Sequence, residues 1–581
     1  MVASTRWCSY LRYYFEDITK STGGIVISTV IIGLYGPRDT KHGHRPTFVH
    51  DHSVTILRDG EIVTSLPLER ITGIKHDNTI ESHLLDILEK YIEDEDNIIF
   101  AVANSFVGSS FISENGNLRI EPNGEISVTE QLIPAMVHWY PNGLVRREAQ
   151  GYIVAHEIAH ISCALAFLGN FPEESLLVHI DGGASFSANS FWYHKKNQIS
   201  LIEYGWGELH ELICNFNVNP LVRTILSHDS WQHLSIPGKL MGYASYGTPS
   251  VEIIRWLSDN DWFKWMDDKS ENDIEKVRSM ISNEFHPLEK FDLNEKILMD
   301  ICASIQLAFE NAVVEKISKL KENLGAKHLI YTGGGALNIL VNSSIENNCN
   351  FDSIFIPPCT NDSGMSLGAA TWVDYKMHGG PRNVISPFLV RTNNEKSTTM
   401  DHIDDVIEML LQGDVIGICN GAGEIGPRAL GHRSIIARMD SIEIRKHVSE
   451  SIKNREWYRP LAPIICEDAA KNVLPQALES PLAQYMLGSW IVPEEWREAF
   501  AGVIHIDGSV RAQVVAASDE DNVWIHQLLS RLWRKHGVPG LINTSFNQMG
   551  EPILYDNNLA ESAGKKLKLQ GVVVDGSLHR Y

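Results

Sequence analysis

His156 and His160 stand four residues apart in the string His156-Glu157-Ile158-Ala159-His160. Histidines at i and i+4 share one face of a helix, so their imidazoles can converge on one metal ion. The proline-free stretch from Gly151 to Leu168 predicts that helix. The alternative is a pair of core histidines satisfied by hydrogen bonds. The same five residues spell HExxH, which would make Glu157 the general base of a zinc metalloprotease with Glu173 or Glu174 as third ligand. That reading leaves the rest of the chain idle. A second reading draws in Asp181, in Val178-His179-Ile180-Asp181-Gly182-Gly183, and Asp362, in Thr360-Asn361-Asp362-Ser363-Gly364. Two imidazoles and two carboxylates form a borderline set suited to Fe(II), Mn(II) or Zn(II). Taken singly, each aspartate could equally cap a helix or hold a turn.

Other strings point to phosphate. Gly333-Gly334-Gly335, running on to Asn338, and Gly182-Gly183 place glycines after apolar runs, where backbone N–H groups can meet phosphate oxygens. Neither is a Walker loop, and ordinary tight turns are the alternative. Gly426-Pro427-Arg428-Ala429-Leu430-Gly431-His432-Arg433 and Lys453-Asn454-Arg455-Glu456-Trp457-Tyr458-Arg459 concentrate cations in an acidic chain. Guanidinium forks match phosphate oxygens in pairs and a lysine adds a point charge. Arg511 could add one more cation. Asn543, Thr544, Ser545 and Asn547 offer amides and hydroxyls suited to a neutral planar unit such as a carbamoyl group.

These residues need elements to hold them. Ile25 to Ile32 reads as a buried β-branched strand, and Val54 to Leu66, broken at Asp59-Gly60, as a hairpin. Thr79 to Tyr91 carries a helical apolar stripe. Ser175 to Ile180, Leu329 to Thr332 and Val415 to Ile418 read as strands. Strands alternating with helices, with glycine turns at strand ends, imply a layered α/β fold.

At 581 residues the chain exceeds one core. We divide it into an extension (1–25), a first unit (26–380), a linker (381–402) and a second unit (403–581). A net charge of −23 argues against a nucleic-acid-coating surface. Eight scattered cysteines without a CxxC pair suit a reducing cytoplasm. The apolar stretch from Gly24 to Gly36 is shorter than the ~20 residues of a membrane span. It lacks a signal-peptide pattern. We therefore expect a cytoplasmic protein with neither nucleic-acid nor membrane partners.

Gly426 to Gly431, Arg455 to Pro463, Asn543 to Asn547, Pro237 to Gly247, Thr332 to Asn338, and Asp59 to Val63 followed by Glu69-Arg70 and Lys75-His76 closely resemble the carbamoyltransferase family that includes NodU and tobramycin carbamoyltransferase. The resemblance runs in the family's order from about residue 30 to 580. It implies an actin-like first unit related to the tRNA threonylcarbamoyladenosine enzymes, and a YrdC-like second unit. Arg428, Lys453, Arg459 and Arg511 would bind carbamoyl phosphate and ATP and form carbamoyladenylate. The carbamoyl group would then pass to a hydroxyl of a small natural-product acceptor. His156, His160, Asp181 and Asp362 would hold the metal, Fe(II) by resemblance, beside a nucleotide on Gly182, Gly183, Gly333, Gly334, Gly335 and Asn338; Mg(II) could accompany ATP. His50 and His52 are candidates to deprotonate the acceptor. The chain departs from the family's pattern at Glu157, where relatives often carry a second histidine, at Gln548-Met549, and in the expanded segment from Gly36 to Phe48. A metalloprotease, a tRNA-modifying enzyme and an ATP-binding scaffold are the competing functions.

Overall fold

The computed structural model describes residues 28–37, 49–103, 111–112, 118–129, 131–140, 147–183, 186–207, 209, 211–212, 220–226, 234–263, 274–285, 287–288, 292–392 and 397–581. The extension 1–25 and most of the expanded segment before residue 49 lie outside the described residues.

The β-branched run near the start forms β1 (Thr29–Tyr35), and the hairpin follows as β2 (Ser53–Arg58) and β3 (Glu61–Pro67). Asp59 and Gly60 turn it with φ of 50° and 81°, the left-handed pair that matches strand twist. The sheet continues with β4 (Asn97–Ala103), β5 (Phe111–Ile112), β6 (Leu118–Pro122), β7 (Leu132–Trp139) and β8 (Arg147–Val154), in the order β3-β2-β1-β4-β8-β7-β6-β5. A second sheet comprises β9 (Ser175–Ile180), β10 (Asn189–Lys195), β11 (Gln198–Gly205), β12 (His328–Thr332) and β13 (Ser353–Phe355), ordered β11-β10-β9-β12-β13. One topology occurs twice. In each sheet three antiparallel strands lead into two parallel neighbours, β1-β4-β8 in the first and β9-β12-β13 in the second. The chain is thus a mixed α/β protein.

The expected helix over 151–168 begins later. Residues 151–154 end strand β8, because Tyr152-Ile153-Val154 is a β-branched and aromatic run that pairs with both β4 and β7. The helix is His156–Ser162, followed by a short helix Leu165–Leu168. Helix Met365–His378 packs across the first, and the crossing is tight. A Cβ at Gly368 would lie 1.8 Å from the Ala159 carbonyl oxygen. Ser162 Oγ donates to Gly368 O at 2.8 Å, and Thr371 Oγ1 donates to Ser162 O at 2.8 Å.

Residues 381–402 carry β14 (Phe388–Val390), whose side chains are buried. Thr64 Oγ1 donates to Leu389 O at 2.9 Å, so this segment is fixed to the first sheet. The third sheet contains β15 (Ile416–Cys419), β17 (Arg433–Arg438), β18 (Ala462–Cys466), β21 (Gln513–Val515), β22 (Gly540–Ser545), β23 (Gly571–Val574) and β24 (Ser577–Arg580). Its order is β21-β18-β22-β17-β15-β23-β24. Two small pairs accompany it: β14 with β16 (Gly423–Glu424), and β19 (Trp490–Ile491) with β20 (Ser509–Val510).

Helix Lys296–Leu324 is long and apolar enough by composition to cross a bilayer. Most of that apolar stretch is buried inside the protein, with Ile301, Phe309, Val313 and Ile317 in the core.

Candidate functional site

Helix His156–Ser162 sets both imidazoles on one face, with Nε2 of His160 3.0 Å from Nε2 of His156. The end of β9 brings Asp181 Oδ2 to 3.1 Å from His160 Nε2. A 3-10 turn, Asp362–Gly364, opens helix Met365–His378 and brings Asp362 Oδ1 to 3.3 Å. His156, His160 and Asp181 thus lie in one group, and Asp362 reaches it through His160. The spacing fits an ion: ligands about 2.1 Å from a common centre stand roughly 3.0 Å apart in an octahedral edge and 3.4 Å in a tetrahedral one. Burial opposes charge on His160, yet Asp181 and Asp362 outweigh it and push the imidazole up to about 10. Despite burial, the same histidines hold the Asp181 carboxyl far below its usual value. A site that concentrates carboxylate charge on buried ring nitrogens is suited to a cation.

His179 also joins the cluster, though it was not among the predicted ligands. It faces the same side of β9 as Asp181 because strand side chains alternate with period two. Its Nδ1 lies 3.4 Å from Ser190 Oγ, and its Nε2 is buried without a hydrogen bond to any described residue. Burial, then the neighbouring His160, push its pKa well below the ordinary imidazole value, so it is neutral. Tyr35 is a further addition, donating its hydroxyl to Asp362 Oδ2 at 2.7 Å.

Glu157 lies outside this cluster. Its Oε1 accepts from Ser187 Oγ at 2.8 Å, and burial raises its pKa. Glu173 accepts the backbone N–H groups of Lys196 and Asn197, while Glu174 pairs with Lys195 and Lys327. The ligand set of the metalloprotease reading is therefore not assembled.

The glycine turns abut the metal cluster. Gly333 has φ of 92°, and a Cβ there would fall 2.2 Å from Ile180 O, so only glycine lets β12 end against β9. Gly334 N–H donates to Asp181 Oδ2 at 3.0 Å, and Gly182 N–H donates to Asp181 Oδ1. Gly183 packs under the Trp206 ring, and Gly335 lies against Ile180 O. Asn338 serves the helix behind: its Oδ1 accepts Val341 N–H at 3.2 Å, and its amide pairs with Gln306 at 3.0 and 3.1 Å. Of the two candidate bases, His50 faces the cluster, with Nδ1 3.0 Å from Asp51 and 4.0 Å from Asp362. Against burial, Asp51 foremost raises it to about 9. His52 is buried beneath Gly36, and its Nδ1 accepts Ile80 N–H at 3.4 Å.

Beyond residue 403, Arg428, Arg455, Arg459 and Arg511 lie close enough to repel one another electrostatically. Burial, then Arg459, lower Arg428 to about 10; burial, Arg459 and Arg428 lower Arg455 to about 9. Arg511 is depressed by burial and by the other three arginines. All four are half-buried. Such crowding of like charge favours an anion. Lys453 behaves differently. Its Nζ donates to Ser545 O at 2.6 Å, to Asn547 Oδ1 at 2.5 Å and to Asn547 O, so it holds the Asn543–Asn547 turn in shape. Asn543 Nδ2 is likewise spent on Ala429 O and Gln513 Oε1. Ser545 Oγ donates to Asn547 Oδ1 at 2.6 Å, and Thr544 is buried beside them. Arg455 belongs to the same cation-rich string as Lys453 and Arg459.

The two clusters adjoin through backbone. Arg70 donates to Gly426 O at 2.7 Å, and a Cβ at Gly426 would meet Pro358 O at 2.3 Å. Thus the loop leading to Asp362 backs onto the loop leading to Arg428.

The chain is 27% identical to the nodulation protein NolNO of Sinorhizobium fredii over 92% of this chain and 79% of that protein. It is 33% identical to a nodulation protein U of Rhizobium fredii over 44% of each, and 26% identical to an uncharacterized protein of Synechocystis sp. over 87% of this chain and 91% of that one. Among solved structures, an activator of 2-hydroxyisocaproyl-CoA dehydratase from Clostridium difficile with bound ADPNP aligns with a TM-score of 0.31 and 15% identity over 60% of this chain and 96% of that chain. That score leaves the fold to the topology described above. Residues 145–371 match the family model of the carbamoyltransferase N-terminus and residues 407–580 that of the carbamoyltransferase C-terminus. With most of its length so matched, the chain belongs to the carbamoyltransferase family and is a transferase enzyme.

Proposed function

We propose that the chain is an ATP-dependent O-carbamoyltransferase with two reaction chambers. Carbamoyl phosphate and ATP bind among Arg428, Arg455, Arg459 and Arg511. Water releases phosphate from carbamoyl phosphate, and a carbamate oxygen attacks the α-phosphorus of ATP. This expels pyrophosphate and leaves carbamoyladenylate. At the second chamber an acceptor hydroxyl attacks the carbamoyl carbon, AMP departs and the hydroxyl proton passes to a base. Adenylation supplies the leaving group that carbamate lacks. The neighbouring Gly182-Gly183 and Gly333-Gly334-Gly335 turns would border the nucleotide phosphates, offering the N–H groups not already taken by Asp181 and Thr360.

His156, His160, Asp181 and Asp362, with His179, would hold a divalent ion, Fe(II) by family resemblance with Mn(II) or Zn(II) also suited. When bound it would act as a Lewis acid on the carbonyl and on developing oxyanion charge. The duplicated sheet topology of the first unit supports its reading as an actin-like domain. The second unit, 403–581, is read as YrdC-like. The acceptor is a small-molecule alcohol of natural-product type, and the location is cytoplasmic.

The observation that carries this reading is the mutual crowding of four half-buried arginines, Arg428, Arg455, Arg459 and Arg511, in a carbamoyltransferase-family chain. The test is release of pyrophosphate that requires both ATP and carbamoyl phosphate. Arg459→Ala should lower its kcat/KM by about 100-fold or more, as loss of a bidentate phosphate contact predicts. Full activity in that variant would remove the anion site from the reaction.

A further inference from the structure

A carboxylate sits among the arginines. Glu456 Oε1 accepts from Lys239 Nζ, and Glu456 Oε2 lies 3.5 Å from Arg459 Nη1. Lys239 comes from the first unit, on helix Ile236–Ala244, with its side chain only 8% exposed. The helix presses on the arginine-bearing loop. A Cβ at Gly242 would lie 3.4 Å from Tyr458 O and 3.5 Å from Pro460 Cδ. Tyr243 meets Tyr458 edge-on at 5.2 Å, and Tyr246 meets Trp457 at 4.9 Å. The reaction proposed above makes no use of the Pro237–Gly247 string, although that string is placed against its anion site.

A carboxylate beside a phosphate site competes with the substrate for the same guanidinium fork. A buried lysine that already holds the carboxylate weakens that competition. We propose that Lys239 is a positioning residue for Arg459: by occupying Glu456 it leaves Arg459 available to a phosphate-bearing substrate, so the first unit completes the anion site of the second. This rests on the reading of that site as the carbamoyl phosphate chamber.

The test titrates inorganic phosphate into the full chain by calorimetry and measures KM for carbamoyl phosphate in pyrophosphate release. Lys239→Met should weaken phosphate binding about tenfold and raise KM similarly, with kcat changed less than about twofold. Glu456→Gln should bind phosphate at least as tightly as the wild type. The double variant Lys239→Met/Glu456→Gln should recover to within about threefold of the wild type, because the competitor is gone. Weaker binding by Glu456→Gln, no effect of Lys239→Met, or no recovery in the double variant would each overturn the proposal. Phosphate binding requires no turnover. If the variants order as expected while no pyrophosphate forms, the role of Lys239 stands and the assigned reaction falls.

Discussion

His179 stacks on His160, with ring centroids 4.9 Å apart and planes 25° from parallel. A neutral buried imidazole against a charged one is an odd packing choice unless its lone pair is used. If His179 contributes to holding the ion, His179→Phe should keep the ring's bulk and lower metal affinity about 10- to 100-fold, as losing a supporting imidazole does. Metal content after dialysis against a graded chelator reads this directly. Unchanged retention would reduce His179 to a packing residue.

If the two chambers are chemically separate, chelation should divide them. Removing the ion by dialysis against a chelator, with Mg(II) restored for the assay, or replacing His156 with alanine, should abolish carbamoylation of the acceptor. It should leave the pyrophosphate-forming half within about twofold of the wild type, since the arginines are unaffected. Equal loss of both halves would show that one site performs the whole reaction.

Arg455 is crowded by Arg459 and Arg428, so its loss should resemble theirs. Arg455→Ala should raise KM for carbamoyl phosphate about tenfold or more, and Arg455→Lys should recover only part of it, because an ammonium lacks the planar fork. Steady-state kinetics at fixed ATP test this. An unaltered KM would mean that Arg455 serves only to hold its loop.

The sequence made this cluster legible because its residues carry local signals: i and i+4 on a helix for His156 and His160, strand-end glycines for Asp181, a helix start for Asp362. His179 was legible in principle, two residues before Asp181, but only once a strand face rather than a turn was considered. Lys453 and Asn338 misled for a physical reason. Residue type and neighbourhood suit them to phosphate, yet their polar atoms are consumed by the Asn543–Asn547 turn and by Gln306. Partners so distant in sequence leave no local pattern. The start of the metal-bearing helix was misplaced for a related reason, since pairing across β4, β8 and β7 outweighs helical periodicity at residues 151–154.

Glu346 gives a pH dependence with a definite sign. Burial raises its carboxyl pKa, although Ser480 Oγ donates to it at 2.6 Å. Folding therefore favours the neutral acid: this contribution is complete below the unfolded glutamate pKa and is lost as pH rises through the raised folded value. Glu346→Gln retains an acceptor for Ser480 without the charge. It should melt higher than the wild type at neutral pH by less than about 1 kcal/mol, since the group is partly exposed, and equal it in acid. Thermal melts across that range would show a constant difference if Glu346 did not titrate on folding.

Gly368 locks the helix bearing His156 and His160 to the helix that follows Asp362. Alanine there would drive its Cβ into the Ala159 carbonyl at 1.8 Å, with backbone on both sides and no flexible side chain to yield. Overpacking of this kind costs about 1–3 kcal/mol or more. The displacement falls on the spacing between His160 and Asp362, so metal affinity should drop with stability. Gly238→Ala is the matched control, on an exposed helical position with nothing within 4 Å of the new methyl. Relief of glycine's backbone entropy should make that variant about 0.5–1 kcal/mol more stable. Urea denaturation of both variants, with and without added divalent metal, separates the two effects. A Gly368→Ala protein as stable and as metal-loaded as the wild type would mean that the two helices can part without disturbing the ligands they carry.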